Sequence, residues 1–299
     1  MSFSTTLVRV MFKNGDDKRD AGLTTPPDIK RFDDISYGSE KLQALDVYRP
    51  KAAEGKLPVI VSLHGGGWTY GDKERYQWYT MNLAQRGFAV VNYSYRLAPE
   101  YKFPASIEDT CIVFQWVLDN AEKYGFDTER IFAVGDSAGG SMVIQFCCIC
   151  TNPEYAAKYP VTPPVYPDGR RFIPAAIAVN CGACEMSMDR KKANGLNRSL
   201  MKALLPGGGT PEEMDLMNPV KYINGAFPRT FVMTANADDL LAPPAQKVLV
   251  DRLEALGIEY VDRTYGTAEE PLNHVFHCNI KTEAARICND DECAFFLNR

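Results

Sequence analysis

The sequence has no uninterrupted apolar run of the roughly 20 residues that a membrane-spanning helix needs. It also has no surplus of positive charge, because 33 Lys and Arg stand against 38 Asp and Glu, a formal net charge of −5. Such a chain is poorly suited to neutralise a phosphate backbone or an anionic lipid surface, so we expect neither nucleic-acid nor membrane partners. Arg9, Lys13 and Asp16 interrupt the apolar segment that a signal peptide would need. We therefore expect a cytoplasmic protein.

Histidine is scarce, with three residues, whereas cysteine is frequent, with nine. An odd number of cysteines cannot pair completely within one chain, and the spacing resembles no small disulfide scaffold, which favours a reducing compartment. Cys181 and Cys184 form a C-x-x-C pair. The second pair of a zinc site is missing from the sequence, and the two cysteines follow an apolar run instead of starting a helix. We interpret them as structural.

Hydrophobic runs alternate with stretches of helical periodicity, which predicts an α/β fold with a mainly parallel central sheet flanked by helices. The predicted strands are 59–63, 88–93, 131–134, 173–179, 230–234 and 259–263, and the predicted helices are 72–86, 105–123, 138–150, 244–256 and 281–296. Alternation over 33–48 predicts a leading hairpin with a turn near Gly38.

Three regions break this alternation. Five prolines in 152–171 predict an extended surface excursion. The segment around 185–227 does not fit a simple crossover and is interpreted as an inserted cap. Residues 1–30 also lie outside the sheet pattern and are interpreted as an N-terminal cap segment. The remainder, 31–299, is then one domain.

A G-x-S-x-G motif occupies 135–139, between a predicted strand and a predicted helix. In a nucleophile elbow the turn is so sharp that the residues two before and two after the serine must be small, as Gly135 and Gly139 are. The elbow exposes the hydroxyl of Ser137 at a helix N-terminus, which favours developing negative charge. Alone, the motif would also suit a glycine-rich turn of another α/β fold.

A second motif, His64-Gly-Gly-Gly-Trp68, follows the predicted strand 59–63. Such a loop turns backbone N–H groups toward the serine and completes an oxyanion hole with the N–H of Ala138. Glycine suits this role because the loop can bring its amides close to a substrate carbonyl.

A serine nucleophile also needs a base and an acid that orients the base, and in a fold of this kind they follow in the chain order serine, acid, histidine. His64 precedes Ser137, so the candidate bases are His274 and His277. Asp238 and Asp239 follow the predicted strand 230–234 and are the candidate acids. A lone aspartate at such a place can equally be a helix cap or a solvated loop charge.

Four segments together resemble the hormone-sensitive-lipase-like branch of the α/β-hydrolases, the carboxylesterases and acetyl esterases with an H-G-G-G loop. They are LDVYRP at 45–50, HGGGW at 64–68, YRLAPE with FPA at 95–105, and GDSAGG at 135–140. The resemblance runs from about 45 to 276. It implies the α/β-hydrolase fold, with a small cap formed by the N-terminus and an insertion.

Matched position by position, the resemblance implies that Ser137 is the nucleophile. The oxyanion hole would consist of the N–H groups of three residues, namely Gly66, Gly67 and Ala138. The family's T-A-x-x-D pattern, with a leucine two places on, falls on 234–240 and favours Asp238 as the acid.

The family's H-G-F pattern falls on 274–276 and favours His274 as the base. Two departures accompany these matches. Val275 replaces the glycine of H-G-F, and the pair after the leucine, often basic and then acidic, is Leu241-Ala242.

The implied activity is hydrolysis of a small-molecule carboxylic ester without a metal or organic cofactor. His274 and His277 lack a carboxylate or cysteine partner at helical zinc-site spacing, so we expect no metal there. Charged residues in both cap segments, among them Lys13, Arg190 and Lys192, disfavour binding to lipid aggregates. We therefore expect short acyl groups, acetyl to butyryl, on small or sugar-like alcohols.

Two alternatives stay open, as does a homodimer. Aromatic residues at 68–70 and 76–79 would suit feruloyl or chlorogenate esters, although such residues also pack in ordinary cores. A non-catalytic ligand-binding relative of the same fold is the second alternative. The presence of both Ser137 and His274 argues against it.

Overall fold

Apolar residues fill both faces of the central strands, so the sheet they form must be covered on both sides. In strand β3 (Leu57–Leu63), Val59 and Val61 belong to one buried cluster, whereas Ile60 between them belongs to the other.

The computed structural model describes residues 3–191, 193–241 and 243–298. The side chains of 3–5, 7, 243 and 244 are not described.

The eight strands of the sheet and the helices around it are bounded as follows. The strands are β1 (Ile29–Ser36), β2 (Ala44–Pro50), β3 (Leu57–Leu63), β4 (Ala89–Tyr93), β5 (Phe126–Asp136), β6 (Ala176–Asn180), β7 (Arg229–Ala235) and β8 (Tyr260–Tyr265). The helices are α1 (Phe3–Asp20), α2 (Lys73–Ala84), α3 (Ala105–Asp119), α4 (Ala121–Tyr124), α5 (Ala138–Thr151), α6 (Pro153–Ala156), α7 (Gly195–Leu204), α8 (Pro211–Met217), α9 (Lys247–Ala255) and α10 (Glu283–Phe296).

The strands follow the order β1-β2-β4-β3-β5-β6-β7-β8, with β1 and β2 antiparallel to their neighbours and the other strands parallel. Helices α3, α5 and α9 contribute to the core on one face, and α2 and α10 to the core on the other. This arrangement confirms the predicted α/β fold with a mainly parallel sheet. Among the described residues, no helix combines the length and apolar character needed to cross a bilayer.

The register aligns the carboxyl ends of the parallel strands. Leu63 at the end of β3 pairs with Gly135 of β5, and Asn180 at the end of β6 pairs with Asp136 of β5 and with Met233 of β7. The loops that follow these strands therefore emerge side by side at one edge of the sheet.

Three sequence predictions need correction. The predicted helix 105–123 is divided at Asn120 into α3 and α4, and the helix predicted from 244 begins as a 3₁₀ turn before α9 starts at Lys247. Ile29 and Lys30 belong to strand β1, so the prediction that all of 1–30 lies outside the sheet is wrong for these two residues. The pairing of β1 with β2 already starts at Ile29, before the alternating sequence pattern of 33–48 begins.

The two segments predicted as caps meet in the fold. Helix α1 contacts α7, which belongs to 185–227 together with α8. Arg190 and Lys191 are exposed on this segment, while Lys192 lies outside the described residues. Ala242, the second residue of the departing pair Leu241-Ala242, also lies outside them.

Candidate active site

Ser137 lies at a sharp turn between β5 and α5. Its backbone has a φ of 52° and a ψ of −116°, a strained conformation typical of a nucleophile elbow. The turn is held by the N–H of Ser137, which donates to the carbonyl of Asn180 at 3.0 Å, and by the N–H of Ala183, which donates to the carbonyl of Ser137 at 3.0 Å. A Cβ on Gly139 would collide with the carbonyl oxygen of Leu63, so glycine lets α5 start this close to β3.

The loop after β3 lies beside this turn. Gly66 and Gly67 have φ values of 105° and 60°, and the carbonyl of Gly66 accepts the N–H of Tyr70 at 3.1 Å. Among the described residues, none accepts a hydrogen bond from the N–H of Gly66 or Gly67. Ala138 starts α5, where the first N–H groups of a helix lack helical partners. All three residues line one cavity together with Ser137.

Asp238 and His274 form a hydrogen-bonded pair between the loops after β7 and β8. Nδ1 of His274 donates to Oδ2 of Asp238 at 2.7 Å. The other oxygen, Oδ1, accepts the N–H groups of Leu240 at 3.0 Å and Leu241 at 2.7 Å. The side chains of Asp238 and His274 are only 1% and 9% exposed. The carboxylate is therefore fixed, and Nε2 of His274 is left for the cavity that this residue lines with Ser137.

The two competing candidates occupy different environments. Asp239 is exposed at the cavity wall. His277 is fully buried, with Nε2 3.6 Å from Sγ of Cys278 and its ring edge-on to Tyr79 at 5.0 Å. Burial, with the nearby His274 as a lesser cause, lowers the pKa of His277 to about 3. His277 is therefore a neutral core residue, and it is Asp238 that is hydrogen-bonded to His274.

The backbone conformation at Val275 explains why the family has glycine at this position. Val275 adopts a left-handed conformation with φ 51° and ψ 33°, which glycine accepts without strain but a β-branched residue does not. The next residues, Phe276 to Cys278, form a 3₁₀ turn that returns the chain to the core. The departure from H-G-F thus changes the strain of the loop and leaves His274 paired with Asp238.

The cavity that contains Ser137, called the Ser137 cavity below, has a volume of about 310 Å³. One part of its wall is apolar and comes from α1, the H-G-G-G loop and the 185–227 segment. The main apolar residues are Met11, Phe12, Trp68, Met186, Leu196 and Leu200. The lining also includes polar residues, among them Asp16, Arg19, Tyr70 and Tyr76. No sequence motif indicates that the α1 residues belong to the site.

A tyrosine hydroxyl connects the H-G-G-G loop to the elbow. The N–H of Gly65 donates to the Tyr76 hydroxyl at 2.9 Å, and this hydroxyl donates to Oδ2 of Asp136 at 2.7 Å. Burial raises the pKa of Asp136 to about 6, and the hydrogen bond from Tyr76 opposes that rise. The sequence shows aromatic residues at 76–79 but gives no signal for this bridge. Tyr76 therefore positions two loops that flank Ser137.

We expect Tyr76→Phe to lower kcat/KM about tenfold and the free energy of unfolding by about 1–3 kcal/mol. The substitution leaves the N–H of Gly65 and the carboxyl of Asp136 without the partner they share, at the cost of buried unsatisfied polar groups. Tyr79→Phe is a matched control one turn along α2, because its hydroxyl contacts Glu292 at 3.3 Å and not the H-G-G-G loop. Ester hydrolysis and urea unfolding of both variants provide the measurement. An equal loss of kcat/KM in both would contradict the positioning role of Tyr76.

Known proteins resemble this chain in part of their sequence and in the whole fold. Carboxylesterase NlhH of Mycobacterium tuberculosis is 38% identical over 126 residues, 40% of each chain. Ethyl acetate hydrolase of Pseudomonas putida is 35% identical over 154 residues, 48% of each chain. The chain thus spans two fifths to about half the length of these curated relatives. The structure of esterase B from Lactobacillus rhamnosis superposes with a TM-score of 0.87, at 23% identity, over 99% of this chain and 96% of that one.

The structural match has low sequence identity and shows the fold. The BD-FAE family model, in contrast, matches residues 45–253 of the sequence. This range contains the H-G-G-G loop, the elbow at Ser137 and the loop of Asp238, and it covers most of the chain. The resemblance drawn from the sequence motifs is confirmed, and the chain belongs to the BD-FAE family of α/β-hydrolases.

Proposed function

We propose that the protein is a serine carboxylesterase with Ser137, His274 and Asp238 as its catalytic triad. The observation that carries this proposal is the convergence of Ser137 and His274 on one cavity beneath the H-G-G-G loop, with Asp238 bound to the far nitrogen of His274. The curated relatives named above, a carboxylesterase and an ethyl acetate hydrolase, support the same reaction class.

The proposed reaction follows from these contacts. The Ser137 hydroxyl attacks the ester carbonyl carbon and transfers its proton to Nε2 of His274, while Asp238 stabilises the imidazolium that forms. The N–H groups of Gly66, Gly67 and Ala138 stabilise the oxyanion of the tetrahedral intermediate. The imidazolium then protonates the leaving alcohol. Water, activated by the same His274, hydrolyses the acyl-enzyme and releases the carboxylic acid.

The size of the Ser137 cavity supports short acyl groups, acetyl to butyryl. A volume of about 310 Å³ is at the lower end of the range for small-molecule sites. Each buried methylene contributes about 0.8 kcal/mol only where the wall leaves room for it. A cover with exposed charges such as Arg190 and Lys191 gains little from insertion into aggregated acyl chains.

The polar residues that line the cavity support a small or sugar-like alcohol. Asp16 accepts hydrogen bonds from the Tyr70 hydroxyl at 2.7 Å and from Nη1 of Arg19 at 2.8 Å. Each carboxylate oxygen has more than one acceptor position, so Asp16 retains capacity for substrate hydroxyl groups. A hydrocarbon alcohol placed there would displace water and leave the remaining acceptor capacity of Asp16 unused.

An aryl ester, of the feruloyl or chlorogenate kind, is the second candidate. Of the aromatic residues in the two sequence segments, Trp68, Tyr70 and Tyr76 line the cavity, whereas Tyr79 packs in the core on the α2 side. Two of the lining hydroxyls are already engaged with Asp16 and Asp136. We therefore rank aryl esters below short acyl esters of polar alcohols.

We expect kcat/KM to be highest for acetyl to butyryl nitrophenyl esters and to fall for longer chains, because the cavity cannot bury the added methylenes. The measurement is a series from two to twelve carbons, beside methyl ferulate and acetylated xylo-oligosaccharides, with Ser137→Ala protein as the blank. A kcat/KM that rises steadily beyond about ten carbons would refute the short-acyl proposal. A large preference for methyl ferulate would favour the aryl-ester alternative.

The cysteines support a proposed reducing, cytoplasmic environment. All nine are free thiols, and all are buried in the fold. Reducing conditions would therefore break no disulfide bond that stabilises the fold.

A further inference from the structure

A buried thiol lies next to the base and acid of the proposed triad. Among the described residues, Cys181, Asp238 and His274 form a group in which the thiol sulfur, a carboxylate oxygen and an imidazole nitrogen all lie within 4.8 Å of one another. The proposed ester hydrolysis gives this thiol no role. The three side chains come from three different loops, at the ends of β6, β7 and β8.

The backbone holds Cys181 in place at this point. It has a φ of 46°, a left-handed conformation that is uncommon for a residue with a side chain. Its N–H donates to the carbonyl of Met233 at 2.8 Å, and its side chain is fully buried. Conformations of this kind persist where the surroundings fix them. The thiol therefore has a defined position relative to Asp238 and His274.

The donor atoms suit a thiophilic metal ion. Zinc is bound by cysteine sulfur at about 2.3 Å, by histidine nitrogen at about 2.0–2.1 Å and by carboxylate oxygen at about 2.0–2.2 Å, so two ligands of one ion lie within about 4.5 Å of each other. The thioether of Met233 is 3.7 Å from Sγ of Cys181 and adds a second soft atom. Thiolate and thioether sulfur favour such ions over magnesium and calcium, which prefer oxygen.

We propose that Cys181, Asp238 and His274 form an inhibitory binding site for a thiophilic divalent metal ion such as Zn²⁺. The ion enters from the Ser137 cavity, whose wall includes His274 and Val275. On binding it takes the place of the proton on Nδ1 of His274, between the imidazole and Asp238.

The proton balance explains why occupation inhibits hydrolysis. The thiol of Cys181 releases one proton to solvent, and Asp238 binds as the carboxylate. The imidazole of His274 stays neutral, with its proton on Nε2 in place of Nδ1. A protonated Nε2 cannot accept the proton of Ser137, so the general-base step stops until the ion dissociates. The charges of thiolate and carboxylate together balance those of the divalent ion.

The activity test compares native protein with two cysteine variants during hydrolysis of nitrophenyl acetate. We expect Zn²⁺ to inhibit native protein, EDTA to reverse the inhibition, and Mg²⁺ at the same concentration to have no effect. Cys181→Ser should raise the half-inhibitory Zn²⁺ concentration at least about tenfold, because it removes the soft ligand. Cys184→Ser is the matched control, a buried cysteine three residues away that is outside the ligand group.

The metal ion could instead bind at a second group of potential ligands, and this alternative location can be tested. The group consists of Asp136, His277 and Cys278. Loss of inhibition in Cys278→Ser but not in Cys181→Ser would overturn the proposal, and so would equal inhibition of Cys181→Ser and native protein. Absence of inhibition in active native protein would also overturn it.

Equilibrium dialysis of the Ser137→Ala protein separates this proposal from the proposed esterase function. We expect one Zn²⁺ per chain, and with Co²⁺ a thiolate charge-transfer absorption, whether or not the native chain hydrolyses esters. Both signals should disappear in Ser137→Ala/Cys181→Ser and persist in Ser137→Ala/Cys184→Ser. Binding of Co²⁺ to the Ser137→Ala protein without a thiolate signal would contradict ligation by Cys181. This result does not depend on whether Cys181→Ser folds well.

Discussion

Replacing Ser137 by alanine should lower kcat/KM for nitrophenyl acetate by about 10⁴-fold or more. The substitution removes the oxygen proposed to form the acyl-enzyme, so only substrate binding and the proposed oxyanion contacts of Gly66, Gly67 and Ala138 remain to accelerate hydrolysis. The measurement is steady-state hydrolysis at a protein concentration high enough to resolve the residual rate above the uncatalysed reaction. Retention of more than a few per cent of native activity would contradict the nucleophile assignment.

Ser141→Ala is the matched control for this experiment. Ser141 lies one turn further along α5 and is fully buried, and its Oγ has no hydrogen-bond partner among the described residues. Removing that hydroxyl therefore leaves no new unsatisfied group. We expect Ser141→Ala to retain activity within about twofold, so that a loss in Ser137→Ala alone is chemical and not structural.

The sequence was sufficient to predict the parallel core because local pattern and global register agree there. Apolar runs mark β3, β5, β6 and β7, and parallel pairing brings their carboxyl ends to one edge. Glycine motifs directly after β3 and β5 then lie together without further information. In the structure, Leu63 pairs with Gly135, which places the two glycine motifs side by side as expected.

The placement of α1 could not be predicted, because it depends on contacts between residues far apart in the chain. Arg19 donates to the carbonyl of Arg75 at 2.7 Å, and Asp16 accepts from Tyr70 at 2.7 Å. The sequence pattern predicts no helix over 3–20, and hydrophobic periodicity does not say which distant loop the polar side chains of such a helix contact. The charged residues of the N-terminal cap segment therefore include two, Asp16 and Arg19, that line the Ser137 cavity.

His277 and Val275 illustrate a different limit. The sequence distinguishes His274 from His277 only by resemblance, since both follow the same strand. In the fold, the left-handed turn at Val275 directs the chain inward, so that His277 packs against Tyr79 and His274 reaches Asp238. The backbone conformation of Val275 therefore determines which imidazole lines the cavity. A glycine at this position would have indicated a left-handed turn in the sequence, whereas a valine does not.

The second large effect is expected for Asp238→Asn, with kcat about 10³- to 10⁴-fold lower. The hydrogen bonds to Oδ1 explain the size of the effect. This oxygen accepts the N–H groups of Leu240 and Leu241, so in the variant the amide oxygen stays there and the NH₂ group takes the position of Oδ2. The NH₂ then donates to Nδ1 of His274, and the imidazole carries its proton on Nε2. That tautomer cannot accept a proton from Ser137, and the amide cannot balance the charge of an imidazolium.

Asp239→Asn is the control for this prediction, since it makes the same change at the next residue, which is exposed. We expect it to retain kcat within about threefold. Asparagine is nearly the same size as aspartate, so the thermal midpoint of Asp238→Asn should stay within a few degrees of the native value, and the loss of kcat is then a loss of proton transfer. The measurement is kcat for nitrophenyl acetate together with a thermal unfolding curve for each variant. A larger loss of kcat in Asp239→Asn than in Asp238→Asn would mean that the hydrogen bond between Asp238 and His274 is not the one used in catalysis, and that the acid of the triad is Asp239.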